Sequence, residues 1–386
     1  GANLTGANLK NAHAVNLQSC PAALPTSWHC LNHNLVGPYA DLWNADLKGI
    51  NLSGLDLSNA NLSIANFFKA DLSGADLSGA NLFYSYMVEA NLSNADLRSS
   101  NLDSAYMGDA NLSGARTINL QGCPATMPTS WQCVKQNLVG PYANLSGANL
   151  IGANLIGANL SNVDLSDSIL IEANLSNANL KNANLTSAFL RYANLNNTDL
   201  SNANLHDIYL VSSGLNNANL SGADLTDSDL EKTELENADL TGANLSDADL
   251  YKAELVNANL TGADLSDANL RETDFSNANL TGADLSDVDM TEADLTYLRA
   301  VNLQVCPAFL PTSWQCLGNI LMGPYAELGR VDLTDFDLSN LDLTGANFSG
   351  ANLRDANLSY TNLSGAALYK VYMVGTNLSN ANLSGA

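Results

Sequence analysis

An apolar residue stands at every fifth position of this chain over three long stretches, from Leu42 to Leu112, from Leu145 to Leu295 and from Leu328 to Leu383. It is leucine throughout except at Phe67, Phe275, Phe348, Met87, Met107, Met290 and Met373. Two residues before each centre comes a small residue, usually Ala, and just before it usually Asn or Asp. A period of five fits neither the 3.6 of a helix nor the 2 of a strand. It marks an array in which one unit cannot bury its apolar side alone and the stack of units can.

The unit, read as Ala148-Asn149-Leu150-Ile151-Gly152 or Ala263-Asp264-Leu265-Ser266-Asp267, closely resembles the pentapeptide-repeat family, and the resemblance runs over nearly the whole chain. It implies an all-β fold: a right-handed quadrilateral parallel β-helix, one pentapeptide per side and four per coil, with the central Leu and preceding Ala inward. The sequence carries its own sign of four sides. Gly222, Gly242, Gly262 and Gly282 recur every 20 residues, as do Asn237, Asn257 and Asn277. On coils about 4.8 Å apart such sets become vertical columns. Residues 1–386 are therefore expected to form a single solenoid domain.

Only 14% of the residues are charged, with a formal net charge of −24, so nucleic-acid binding through a basic face is not expected. No apolar run reaches 18 residues, so no membrane span is expected either. The chain opens in mid-repeat at Gly1 and closes in mid-pattern at Ala386. Tail and head would together complete whole coils, which suggests one period of a longer array or a subunit that stacks end to end.

Three inserts, at 15–39, 118–142 and 301–325, break the register. Each carries a Cys-Pro, a Pro-Thr-Ser-Trp, a second Cys and a Gly-Pro-Tyr; the first reads Cys20-Pro21, Pro25-Thr26-Ser27-Trp28, Cys30 and Gly37-Pro38-Tyr39. All six cysteines lie in them: Cys20 and Cys30, Cys123 and Cys133, Cys306 and Cys316. Identical pairs favour three local disulfides. Metal ligation and free thiols are the alternatives, although two thiols per insert do not make a four-ligand zinc site. Disulfides imply an oxidising compartment and hence an extracellular or cell-surface location. Whole numbers of coils separate the inserts, so they read as side arms leaving one corner. Trp28, Trp131 and Trp314, with Tyr39, Tyr142 and Tyr325, are the candidate contact residues; the alternative is duplicated loops that touch nothing.

A column of outward carboxylates, Asp167, Asp207, Asp227, Asp247, Asp267 and Asp287, is a candidate stripe for weak Ca²⁺ binding. The plainer reading is a solvated acidic face. Many Asn-Leu-Ser and Asn-Leu-Thr triplets match the N-glycosylation pattern, but the repeat generates them automatically. No catalytic motif or phosphate loop stands out, so neither an enzyme, a cofactor nor a small-molecule substrate is expected. The expected function is an extracellular structural protein that partners itself, forming a filament, sheath or surface layer by end-to-end stacking with lateral contacts from the inserts. A cell-surface adhesin or spacer would use the same features. The alternative from the family resemblance is a DNA mimic acting on a type II topoisomerase, which the acidic balance suits and paired cysteines do not.

Overall fold

The computed structural model describes all 386 residues, Gly1–Ala386, and contains no helix. The chain forms two compact units, one of Gly1–Ile169 with Asn179–Asn184, the other of Leu170–Ala178 with Leu185–Ala386. Both are built from one local event repeated.

The pentapeptide Asn219-Leu220-Ser221-Gly222-Ala223 of the second unit shows that event. The Asn219 amide donates to the Thr198 carbonyl of the preceding coil at 2.9 Å. The Leu220 and Gly222 amides donate to Asp239 and Thr241 of the following coil, at 2.7 and 3.0 Å. The Ala223 amide closes a four-residue turn on the Leu220 carbonyl at 3.0 Å. That leaves the Ser221 amide, which donates to Oδ1 of Asn219 at 3.1 Å. Every amide in the unit has an acceptor, as a backbone packed between coils requires.

The repeat consensus follows from this accounting. The residue before leucine must offer a short acceptor to an amide two positions on, which Asn and Asp do. The second residue after leucine lies in the left-handed region, with φ of 65° at Gly222, 57° at Asp227 and 57° at Asn237. This is the third position of a type II turn, where Gly, Asn and Asp strain least. The residue after that is buried at the corner and must be small. Where Thr replaces Ala there, its hydroxyl can return to a leucine carbonyl, as Thr233 does to Leu210 at 3.1 Å and Thr273 to Leu250 at 2.9 Å, whereas the Ser85 and Ser228 hydroxyls are buried without a partner.

Parallel bridges join residues 20 apart: Asp41, Asn61, Asn81 and Asn101 in the first unit, and Asp199, Asn219, Asp239, Asn259 and Asn279 in the second. Each regular coil therefore holds four pentapeptides. The asparagines add a side-chain ladder, Nδ2 of Asn219 donating to Oδ1 of Asp199 at 3.2 Å and that of Asn259 to Asp239 at 3.3 Å. An Asn above an Asp can make this bond; an Asp above an Asp lacks the donor. Inside, the apolar centres of the regular coils from Leu42 to Leu363 are almost completely buried, with Phe67, Phe275 and Phe348 among the largest enclosed side chains. Each buried leucine contributes about 1.5–3 kcal/mol.

The three inserts hold the only multi-residue strands. β1 (His29–Leu31) pairs with β2 (Asn34–Val36), β3 (Gln132–Val134) with β4 (Asn137–Val139), and β5 (Gln315–Leu317) with β6 (Ile320–Met322), all antiparallel. Asn32 and His33, Lys135 and Gln136, and Gly318 and Asn319 connect them with both φ angles positive, the type I′ hairpin turn. The inserts are not side arms. β2, β4 and β6 are buried, and the amides of Leu35, Leu138 and Leu321 donate to the carbonyls of Ala14, Thr117 and Ala300 at 2.8, 3.0 and 2.9 Å. His13 bridges to Asp41 and Arg116 to Asn144. Each insert is thus a lengthened coil, its surplus residues folded into a hairpin whose apolar second strand joins the core.

Candidate functional site: the hairpin coils and the charged flanks

The glycine of each Gly-Pro-Tyr stands five residues before Leu42, Leu145 or Leu328, in the place of a repeat leucine. The local turn is that of the repeat: the amides of Ala40, Ala143 and Ala326 donate to Gly37, Gly140 and Gly323 at 3.2, 3.3 and 3.2 Å. Proline occupies the second turn position, and Tyr39, Tyr142 and Tyr325 take the left-handed one with φ of 56°, 60° and 64°. A Cβ on these glycines would lie 2.6, 2.4 and 2.4 Å from Cδ2 of Trp28, Trp131 and Trp314. The indole lies flat against the glycine and fills volume that a leucine takes in other coils. Trp28 is buried and the other two are half-buried. The tryptophans therefore plug the space at these glycines, a role the sequence did not show, and Trp131 and Trp314 keep part of their surface at the exterior. The three tyrosines are exposed, as is Phe309 in the third insert.

The cysteines pair as the spacing predicts, Cys20 with Cys30, Cys123 with Cys133 and Cys306 with Cys316, with Cα separations of 5.8, 6.0 and 6.0 Å. No cysteine is free. Each bond ties the Cys-Pro of its insert to the first strand of the hairpin. An oxidising environment follows from them.

The aspartate column does not form a metal centre. Asp167 in the first unit and Asp227, Asp247, Asp267 and Asp287 in the second are exposed, one per coil, and Asp207 is half-buried and accepts from the Ser187 hydroxyl at 2.9 Å. No three His, Cys, Asp or Glu side chains converge where an ion could sit. All six aspartates have φ between 54° and 60°. The column therefore has a backbone cause, since Asp tolerates the left-handed turn position, before any ligand is invoked.

Other carboxylates are tuned by the ladder. The Ser73 hydroxyl and amide, with help from Asn91, hold Asp71 below the usual carboxylate range. Asp289 is lowered likewise by Thr291. Asp229 goes the other way: burial, and then the charges of Asp249 and Glu231, push its carboxyl up.

The first unit also carries an aromatic patch that sequence reading missed. Tyr84 meets Tyr106 edge-on at 5.5 Å between centroids, Tyr106 lies 6.3 Å from Tyr86, and Tyr86 lies 6.1 Å from Phe68. The ammonium groups of Lys48 and Lys69 stand 5.2 and 5.0 Å from the centre of the Phe68 ring. The signal was available: Tyr86 and Tyr106 are one coil apart, so residues far apart in sequence become neighbours.

Stacked parallel coils with an enclosed leucine ladder define a β-helix. The chain belongs to the pentapeptide repeat family, whose model matches residues 39–114, 143–296 and 326–385. The breaks between these matches fall on the second and third hairpin coils. HetL, a pentapeptide repeat protein involved in heterocyst differentiation regulation in the cyanobacterium Nostoc sp. strain PCC 7120, is 31% identical over 59% of this chain and 89% of its own, with a TM-score of 0.33. A trypsin-treated form of QnrB1, a plasmid-mediated fluoroquinolone resistance protein, is 20% identical over 66% and 89%, with a TM-score of 0.23. A pentapeptide repeat protein from the Arabidopsis thaliana thylakoid lumen is 31% identical over 32% and 66%, with a TM-score of 0.13. No curated protein sequence matches the chain. No helix is long and apolar enough to cross a membrane.

Proposed function

We propose that this protein is an extracellular structural element: a right-handed, four-sided β-helix that assembles with copies of itself into a filament, sheath or surface layer. The observation that carries the reading is the hairpin coil, in which a disulfide, a tryptophan plug and a buried strand reinforce the stack at three places. Disulfides belong to an oxidising compartment, and reinforcement without a converging set of catalytic groups serves mechanical persistence better than turnover. Each coil pairs its backbone on both sides, so the end of any such stack offers a template to another copy.

Electron microscopy of the unreduced protein, run beside a DNA gyrase supercoiling assay, tests the reading. Filaments or ordered arrays without gyrase inhibition are expected. Discrete particles that inhibit gyrase would replace it with the DNA-mimic reading, which the net charge of −24 favours.

A further inference from the structure

Acidic side chains outnumber basic ones 39 to 15, so arginines without carboxylate partners are anomalous here. Two of them meet in the second unit. Arg299 and Arg330 together line adjoining depressions of about 430 and 280 Å³. Arg330 also lines a third, of about 390 Å³, with Arg354 and Tyr372. The shared residues make these one groove. Arg299 donates from Nη1 to the Gly329 carbonyl at 3.2 Å, and the Arg330 guanidinium has no hydrogen-bond or ion-pair partner. Arg354 is paired with Asp355 at 3.3 Å. Two carboxylates line the same groove and are held by the ladder, Glu327 accepting from Asn347 at 2.8 Å and Asp332 from Asn352 at 3.1 Å, so the three arginines outnumber them.

Arg330 is the single arginine in a left-handed position, with φ of 63°. The same corner carries glycine at Gly262, Gly282 and Gly350. Its continuity is visible in the bonds: the Gly282 amide donates to Val301, Val301 and Asn302 line a depression with Arg330, and the Arg330 amide donates to Ser349. Gly350 gives Arg330 room, since the arginine Cγ lies 3.4 Å from where a Cβ would stand. One pentapeptide further round is the aspartate column, Asp287 following Gly282 as Asp335 follows Arg330. One flank of the second unit thus carries exposed aspartates before the third hairpin coil and the arginine groove after it.

We propose that this flank is an interaction surface between two copies of the chain, the groove of each receiving the aspartate column of the other. Arg299, Arg330 and Arg354 stand on three successive coils, and the column offers one carboxylate per coil. The arginines sit at different places round their coils, so the groove meets the column as a positive patch and not as a second row, while the column presents its carboxylates at the ladder spacing of about 4.8 Å. An antiparallel, two-fold pair sets acid against base at both ends. The proposal rests on the self-association argued above and names the surface that mediates its lateral part.

Sedimentation velocity on the unreduced full chain tests it. The wild type associates at about 50 mM salt and at least about tenfold more weakly at about 0.5 M, where exposed charges are screened. Arg330→Gly weakens association at least about tenfold without lowering the melting temperature, because glycine suits the left-handed backbone. A protein carrying Asp247→Lys and Asp267→Lys also fails to self-associate; Lys232 and Lys252 already occupy such positions with φ of 57° and 59°. Mixed with Arg330→Glu, it recovers association. Undiminished association of Arg330→Gly, or a mixture that stays monomeric while the wild type associates, overturns the flank assignment and leaves the structural reading standing. A wild type that is monomeric under all conditions overturns both.

Discussion

Gly140→Ala isolates the plug that defines a hairpin coil. Gly140 is not left-handed, so alanine meets no backbone objection there, and its effect must come from Trp131. The new methyl would stand 2.4 Å from Cδ2 and 2.7 Å from both Cγ and Cε2 of the indole. Carbon contacts are comfortable at about 3.5–4 Å, so the ring must retreat by about 1 Å or more. Overpacking of this kind costs about 1–3 kcal/mol, and three contacts with a rigid ring argue for the upper half. Trp131→Ala alone costs about 2 kcal/mol, below the 3–5 of a fully buried tryptophan because this one is half-buried. In the Trp131→Ala background the clash is gone. Gly140→Ala should then be neutral or stabilise by up to about 1 kcal/mol through the unfolded chain. The coupling of about 2 kcal/mol exceeds the roughly 0.5 kcal/mol error of additivity. A stack of coils does not unfold as one two-state unit, so the readout is hydrogen exchange at the hairpin amides of Val134, Leu138 and Val139. Exchange that speeds equally with and without Trp131 would refute the plug.

Reducing the three disulfides should loosen the hairpins by about 2–3 kcal/mol each, as expected for a sequence separation of 10. Exchange should rise there while the regular coils stay protected; collapse of the whole ladder would contradict this. Asn137→Ala removes the acceptor of the Asn119 amide at 3.1 Å and the donor to the Lys135 carbonyl at 2.7 Å, and should cost about 1–3 kcal/mol in the same assay. Asp249→Asn supplies the missing ladder donor above Asp229 and should stabilise by about 1 kcal/mol at pH 7. Because the folded Asp229 carboxyl is raised, its favourable contribution is complete below the ordinary carboxylate range and is lost as pH rises through the elevated value. The gain from the Asp249→Asn substitution is therefore expected to shrink in melts below about pH 4.

The period of five and the 20-residue recurrence were enough to read the stacked coils and the inward leucines, because a strict apolar period leaves few other ways to bury Leu42 through Leu363. The disulfide pairs were legible for the same reason: identical spacing recurs three times. The hairpin coils were misread because Gly37, Gly140 and Gly323 broke the leucine period, and only the third dimension shows an indole from nine residues upstream filling that place. The aromatic patch was missed because Phe68, Tyr84, Tyr86 and Tyr106 meet only once the coil length is applied to polar, outward positions.

The aspartate column shows how a backbone demand can pass for a ligand site. Its members share the left-handed φ of Gly222 and Asn237 in neighbouring corners, 65° and 57°, so the turn admits Gly, Asn and Asp alike and composition chooses among them. Replacing Asp267 by Asn or Gly should therefore change stability by less than about 0.5 kcal/mol. Asp267→Val should cost about 1–2 kcal/mol, since a β-branched residue resists the left-handed region. Hydrogen exchange at the amides of Asp267 and Ala268, which close onto Ser286 and Leu265 at 2.9 and 3.1 Å, reads this directly. If Asn destabilises as much as Val, the carboxylate itself holds the turn, and the charge is a structural requirement that the lateral pairing of two flanks would then only borrow.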